Sequence, residues 1–168
     1  AYLFFYNAFN KSYLKADKDK SLFWMYLVTQ NQSFLQELTK SWDNSIYTLY
    51  AKELFDVNID NIIYNIDLKN EKTSFDVHDA FKWMDVVEDN KKNIDDAKLS
   101  KYYNLFSDES TLPHYAFVLQ RYNKYKVQYF ITPYRDEIKN YDVNKQVLLY
   151  SLARQESLFI PSSISFSS

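Results

Sequence analysis

One acidic residue near the end of the sequence has a neighbourhood suited to proton transfer. Asp142 is expected to cap a helix whose apolar stripe recurs every three to four residues, formed by Leu148, Leu149, Leu152 and Ala153. Glu156 falls on the same stripe, near the C-terminal end of that helix. Burial on an apolar face and the negative end of the helix dipole both disfavour an ionised carboxylate. Glu156 is therefore a candidate general acid, because such a group must hold its proton near neutral pH.

The same position has a plainer interpretation. A lone Glu on a helix face is more often solvated or ion-paired than catalytic, and Arg154 lies close to Glu156 in the sequence. Residue type and spacing alone therefore leave both interpretations open.

The segments that precede this helix are also predicted to be helical, because apolar residues recur at helical spacing. Helices are predicted over residues 2–14, 22–30, 34–41, 46–54, 73–87, 97–106 and 114–125. Residues 16–20 are predicted to form a polar turn, with Ser21 as the cap of the next helix. Residues 57–68 alternate partially and predict a short strand or an extended connector.

Composition excludes several kinds of chemistry. The chain has no cysteine and no glycine, which excludes thiol catalysis, zinc–thiolate sites and glycine-rich phosphate loops. The net charge of −2, without a basic block, gives no indication of nucleic acid or of an acidic membrane surface. His78 and His114 lie far apart in sequence and indicate no metal site. We therefore expect no metal and no cofactor, and the apolar stretches are too short for a membrane span.

The sequence around Glu156 resembles a known family. Ala153-Arg154-Gln155-Glu156-Ser157, followed by Phe159, Pro161 and Ser162, is similar to the Glu-Ser motif that opens the catalytic domain of soluble lytic murein transglycosylases. Pro133-Tyr134, Ile138 and residues 146–152 resemble the approach to that motif. The resemblance is specific over about residues 130–165, and further upstream it is a likeness of pattern.

The resemblance implies cleavage of the β-1,4 bond between N-acetylmuramic acid and N-acetylglucosamine in peptidoglycan, with formation of a 1,6-anhydro sugar. Glu156 would protonate the glycosidic oxygen and then take the proton from the C6 hydroxyl. The N-acetyl group of the substrate would replace the second carboxylate of ordinary glycosidases, and no second acid lies between Glu156 and Ser168. Ser157 would bind substrate beside the acid, or alternatively bond to a carbonyl of its own helix. The partners would be peptidoglycan glycan strands in the periplasm.

The expected fold class is all-α. Residues 1–139 would form an α-superhelical, solenoid-like region with its linker, and residues 140–168 the first helix of a lysozyme-like catalytic domain. In the family a segment with Leu-Met-Gln follows the motif, whereas this sequence ends at Ser168. We therefore interpret the chain as a fragment that lacks most of the substrate groove.

The alternative, from another functional class, is a non-catalytic helical scaffold or glycan-binding module in which Glu156 is incidental. Aromatic side chains on a helical surface could stack on sugars in such a module. The three tryptophans are nevertheless expected to pack in the core, namely Trp24, Trp42 and Trp83.

We predict that residues 1–168 alone release little or no anhydro-muropeptide from purified sacculi, because the groove is incomplete. Chromatography and mass spectrometry of the soluble products measure this release, with the full-length gene product as the positive control. Robust digestion by the 168-residue chain would show that the fragment interpretation is wrong.

Overall fold

Helices form most of the structure, as the sequence predicts. The structure is a computed structural model that describes residues 1–164. Two compact units are present, the first formed by Ala1–Ile62 and the second beginning at Ile63. The predicted all-α class is confirmed. None of the helices in residues 1–164 combines the length and apolar composition that a membrane span requires.

The first unit consists of four helices that pack in sequence order. They are α1 (Tyr2–Lys11), α2 (Lys15–Thr29), α3 (Ser33–Thr39) and α4 (Ile46–Leu54). Each helix contacts the next one along the chain. Their common core is formed by apolar side chains from the last three helices, namely Leu22, Met25, Leu35, Leu38 and Ala51.

The predicted turn at residues 16–20 and the predicted cap at Ser21 are both wrong, because α2 already begins at Lys15. A buried polar cluster explains the longer helix. The Asp19 side chain is fully buried, pairs with Lys15 one turn earlier and accepts a hydrogen bond from the Ser41 hydroxyl at 2.5 Å. Ser21 donates to the Asp17 carbonyl at 2.8 Å, so its hydroxyl stabilises the helix from within instead of capping it.

The second unit contains the remaining elements. They are β1 (Ile62–Ile63), of which Ile63 is the first residue of this unit, α5 (Ala80–Asp89), α6 (Asp96–Leu105), a 3₁₀ turn (Glu109–Thr111), α7 (Leu112–Tyr122), β2 (Gln128–Tyr129), α8 (Arg135–Ile138) and α9 (Val143–Ser157). The two strands form one small sheet, in which the Phe130 amide donates to the Ile63 carbonyl at 2.8 Å. Residues 57–68, predicted to form a short strand or an extended connector, contain the two-residue strand β1. Helix α5 begins later than predicted, since the Asp79 carboxylate caps the amides of Phe81 and Lys82 at 3.0 and 3.1 Å.

The core of the second unit surrounds a histidine. His114 has no exposed surface, and its ring lies 5.3, 5.0 and 5.5 Å from the rings of Phe75, Trp83 and Phe106. Neither imidazole nitrogen has a hydrogen-bond partner among the described residues. Burial lowers the pKa of His114 to about 4, because an aromatic surrounding cannot solvate the imidazolium. The second histidine, His78, is exposed.

We predict that the second unit loses stability as the pH falls from 6.5 to about 4. The unfolded chain binds a proton at His114 at its ordinary pKa of 6.5, whereas the folded core resists that proton down to about 4. The contribution of neutral His114 to the free energy of unfolding is therefore fully present above pH 6.5. The difference between the two pKa values corresponds to roughly 3 kcal/mol of this contribution. Urea unfolding followed by Trp83 fluorescence, in a Trp24→Phe and Trp42→Phe background, measures it within the second unit.

A matched pair of variants tests whether His114 causes this pH dependence. His114→Leu should flatten the pH dependence in this window, and His78→Leu should leave it unchanged because His78 is exposed. The hydrogen bond from Tyr102 holds the pKa of Asp89 below its usual range, so that carboxylate titrates at lower pH. If the His114→Leu variant retained the full pH dependence of stability, another group would be its cause.

Candidate functional site

The candidate acid lies at the end of a well-capped helix. The Asp142 carboxylate accepts a hydrogen bond from the Lys145 amide at 3.0 Å, which confirms the predicted N-cap of α9. The helix runs from Val143 to Ser157, so Glu156 occupies the position before the last. The predicted location near the helix C-terminus is confirmed.

Arg154 fixes this helix to the rest of the second unit. Its guanidinium donates to the Tyr129 carbonyl in β2 and lies over the ring of Phe130, 4.1 Å from the ring centroid. Burial lowers the pKa of Arg154. No ion pair joins Arg154 to Glu156 within residues 1–164. Arg154 therefore positions α9, and the ion-paired interpretation of Glu156 is not observed.

The expected burial of the Glu156 carboxyl is not observed. Glu156 is exposed, and the stripe residues Leu148 and Leu152 are 58% and 52% exposed. Helical spacing shows that these residues share a face, but it does not show that another element covers that face. Within residues 1–164, the fold itself does not desolvate Glu156.

A strained turn follows Ser157 directly. Leu158 and Phe159 both have left-handed backbones, with φ of 53° and 66°, although neither is a glycine. Such a conformation costs about 1–2 kcal/mol for each residue that carries a Cβ atom. Burial offsets this cost, since Phe159 and Ile160 are 7% and 3% exposed. The Phe159 amide also donates to the Ala153 carbonyl at 3.3 Å and closes the end of the helix.

Glu156 and Ser157 line a cavity of about 460 Å³ in the second unit. Helix α5 contributes one face to the lining, with side chains at helical spacing, namely Trp83, Met84, Val87 and Glu88. Lys91, the residue after the C-cap of α5, also lines the cavity. Helix α7 adds Phe117 and Arg121, which lie one turn apart. The segment after α9 adds Ile160 to the lining. The lining is therefore mainly apolar, with two carboxylates and two cations.

Two of the four charged side chains in this cavity pair with each other. Glu88 and Lys91 form an ion pair. Arg121 donates from Nη1 to the carbonyl of Asn90 at 3.3 Å, and its guanidinium lies 4.4 Å from the centroid of the Phe117 ring. Glu156 has no ion-pair partner among residues 1–164. The cavity therefore offers one carboxyl and one guanidinium to a ligand.

Ser157 makes the bond within its own helix that the alternative interpretation expects. Its hydroxyl donates to the Ala153 carbonyl at 3.3 Å, which is the bond to its own helix. The residue also lines the cavity beside Glu156. Since a hydroxyl has two further acceptor sites, this bond leaves Ser157 able to accept a hydrogen bond from a ligand.

Trp83 belongs to the core as well as to the cavity. It is 5% exposed, which confirms the predicted core packing for this tryptophan, and its ring lies 4.9 Å from that of Phe117. Trp24 differs from that prediction, because it is 38% exposed. The contribution of Trp83 and Arg121 to the cavity had no local signal in the sequence, since both lie on helices remote from Glu156 along the chain.

Comparison with models of known protein families and with curated proteins finds no match. In the part of the chain that the structure describes, no three His, Cys, Asp or Glu side chains are grouped as metal ligands.

We predict that Arg154→Gln lowers the free energy of unfolding of the second unit by about 1.5–3 kcal/mol. The substitution removes a charge-assisted hydrogen bond to the Tyr129 carbonyl, and bonds of that kind contribute this much. Urea unfolding followed by Trp83 fluorescence, in the Trp24→Phe and Trp42→Phe background, provides the measurement. Arg135→Gln is the control, because Arg135 is exposed and should change stability by less than about 0.5 kcal/mol. Equal effects of the two substitutions would contradict the anchoring role of Arg154.

Proposed function

We propose that this chain is part of a peptidoglycan lytic transglycosylase, with Glu156 as its single general acid and base. The observation that carries the proposal is the location of Glu156 and Ser157. The two residues of the family-like motif end α9 at the lining of a cavity, where a ligand would contact both. The cavity volume of about 460 Å³ is within the range of small-molecule binding sites.

The proposed reaction needs only one carboxyl group. Glu156 donates its proton to the glycosidic oxygen while the bond from that oxygen to C1 of the muramic sugar breaks. The substrate's N-acetyl oxygen shares the positive charge at C1. The carboxylate of Glu156 then accepts the C6 hydroxyl proton as the C6 oxygen bonds to C1. The products are a free N-acetylglucosamine end and a 1,6-anhydro-muramic sugar, and Glu156 regains its starting protonation.

Bound substrate supplies the desolvation that the fold itself does not provide. Glu156 is exposed in the described residues, and a glycan in the cavity would cover its carboxyl and exclude water from it. Arg121 would lie in the same covered space, as a second lining residue.

The wider assignment follows from the same resemblance. In this proposal the helices of residues 1–139 belong to an α-superhelical region with its linker, and residues 140–168 begin a lysozyme-like domain. The natural partners are peptidoglycan glycan strands, and the location is the periplasm. No metal or cofactor takes part in the proposed reaction.

One observation favours a second candidate function. Because Glu156 is exposed, the cavity could bind a glycan without protonating it, as a non-catalytic binding module or scaffold would. The two candidates differ in one outcome, which is whether Glu156 is needed for bond cleavage.

We predict that Glu156→Gln in the full-length gene product preserves folding and lowers anhydro-muropeptide release by about 10⁴-fold or more. Glutamine has nearly the shape of glutamate but cannot donate or accept the transferred proton. General acid–base catalysis typically contributes ~10²–10⁴-fold, and here one group serves both steps. Quantitative chromatography of products from purified sacculi gives the activity, and thermal melting gives the stability.

Glu109→Gln is the matched control, because Glu109 is an exposed acid in the 3₁₀ turn and does not line the cavity. It should change neither property. A Glu156→Gln variant that melts like wild type and keeps most of its activity would reject the enzymatic proposal and favour the binding module.

A further inference from the structure

Arg121 is held in a fixed position without a carboxylate partner. Its Nη1 donates to the Asn90 carbonyl at the C-cap of α5, where a cation is favoured by the helix dipole. The face of the Phe117 ring supports the guanidinium from one side. Within residues 1–164 no carboxylate lies at ion-pair distance from Arg121.

This guanidinium has donors left for a ligand. The buried Nε of Arg121 has no hydrogen-bond partner among the described residues, and Nη1 uses one N–H on the Asn90 carbonyl. Because Nε has almost no exposed surface, a ligand would bind to the remaining N–H donors of the two Nη groups. A guanidinium has five N–H donors in a rigid fork that matches the two oxygens of a carboxylate. Because the side chain is already ordered by Asn90 and Phe117, a ligand would lose little conformational freedom in binding it.

The other charges of the cavity leave this role to Arg121. Lys91 is paired with Glu88, so its ammonium is partly neutralised. Glu156 lines the same cavity, and its negative charge would repel an anionic ligand unless the carboxyl is protonated. A ligand whose carboxylate lies next to Arg121 and away from Glu156 would bind the guanidinium and avoid repulsion by the Glu156 carboxylate.

Resting on the proposed function, we infer that Arg121 binds a carboxylate carried by the muramic sugar of the substrate. N-acetylglucosamine has no such group, so this contact distinguishes the two alternating sugars of the glycan. The carboxylate belongs to the lactyl group of the sugar where the peptide has been removed, and to the attached peptide where it is present. Arg121 would thereby place the muramic side of the scissile bond beside Glu156.

Binding of three probes to the 168-residue chain tests this inference without any catalytic step. N-acetylmuramic acid carries a free lactyl carboxylate. Muramyl dipeptide carries its free carboxylate on the peptide, and N-acetylglucosamine carries none. Dissociation constants come from NMR titration. We expect at least one of the two carboxylate-bearing probes to bind on the order of 10- to 100-fold more tightly than N-acetylglucosamine, as a charge-assisted hydrogen bond implies.

Substitutions of Arg121 then show whether this residue causes the preference for carboxylate-bearing probes. Arg121→Gln should abolish the preference while N-acetylglucosamine affinity stays the same, a selective change that a general structural defect would not produce. Arg121→Lys should retain part of the preference, because it keeps the charge and loses the fork. Arg135→Gln is the control, since Arg135 is exposed and does not line the cavity. Thermal melts check the folding of each variant.

The outcomes separate the inference from the proposed function. A preference for N-acetylmuramic acid identifies the lactyl carboxylate as the ligand, and a preference for muramyl dipeptide alone identifies the peptide carboxylate. Equal affinity of wild type for all three probes, or an unchanged preference in Arg121→Gln, would overturn the inference. If Glu156→Gln retains cleavage while the Arg121-dependent preference is present, the catalytic proposal fails and the carboxylate site stands.

Discussion

The packing of Phe159 and Ile160 holds the turn on which the candidate site depends. A chain without glycine must build each left-handed position from a residue with a Cβ atom, and such positions persist only where surrounding contacts compensate for the strain. At the end of α9 the compensation comes from burial of these two side chains. The turn ends the helix directly after Ser157, and thereby sets where Glu156 and Ser157 meet the cavity.

The cavity and the core of the second unit share structural residues. Trp83 packs against His114 in the core and against Phe117 at the cavity, and Phe117 in turn supports Arg121. The polar groups of the cavity are therefore positioned by aromatic contacts that also stabilise the fold. This arrangement suits a binding site, because side chains that are already ordered lose little entropy when a ligand arrives.

The parts of the fold that depend on local signals could be predicted from the sequence. The Asp142 cap and the position of Glu156 near the end of α9 follow from residues only a few positions apart. The local context of Ser21 predicts a cap, whereas the Asp19 contact with Ser41 extends α2 through a pairing remote in sequence. The exposure of Leu148 and the approach of Arg121 to the cavity depend likewise on which elements pack together, which a single helical pattern does not encode.

In the proposed reaction Glu156 transfers a proton without consuming water, and the fate of oxygen tests this proposal most directly. Purified sacculi are digested by the full-length gene product in water labelled with oxygen-18, and the muramic products are weighed by mass spectrometry. We expect muramic ends that are one water molecule lighter than hydrolysis products and that contain no heavy oxygen. Reducing muramic ends that carry the label would show hydrolysis, and the absence of any cleavage would show a binding module; either result would contradict the account.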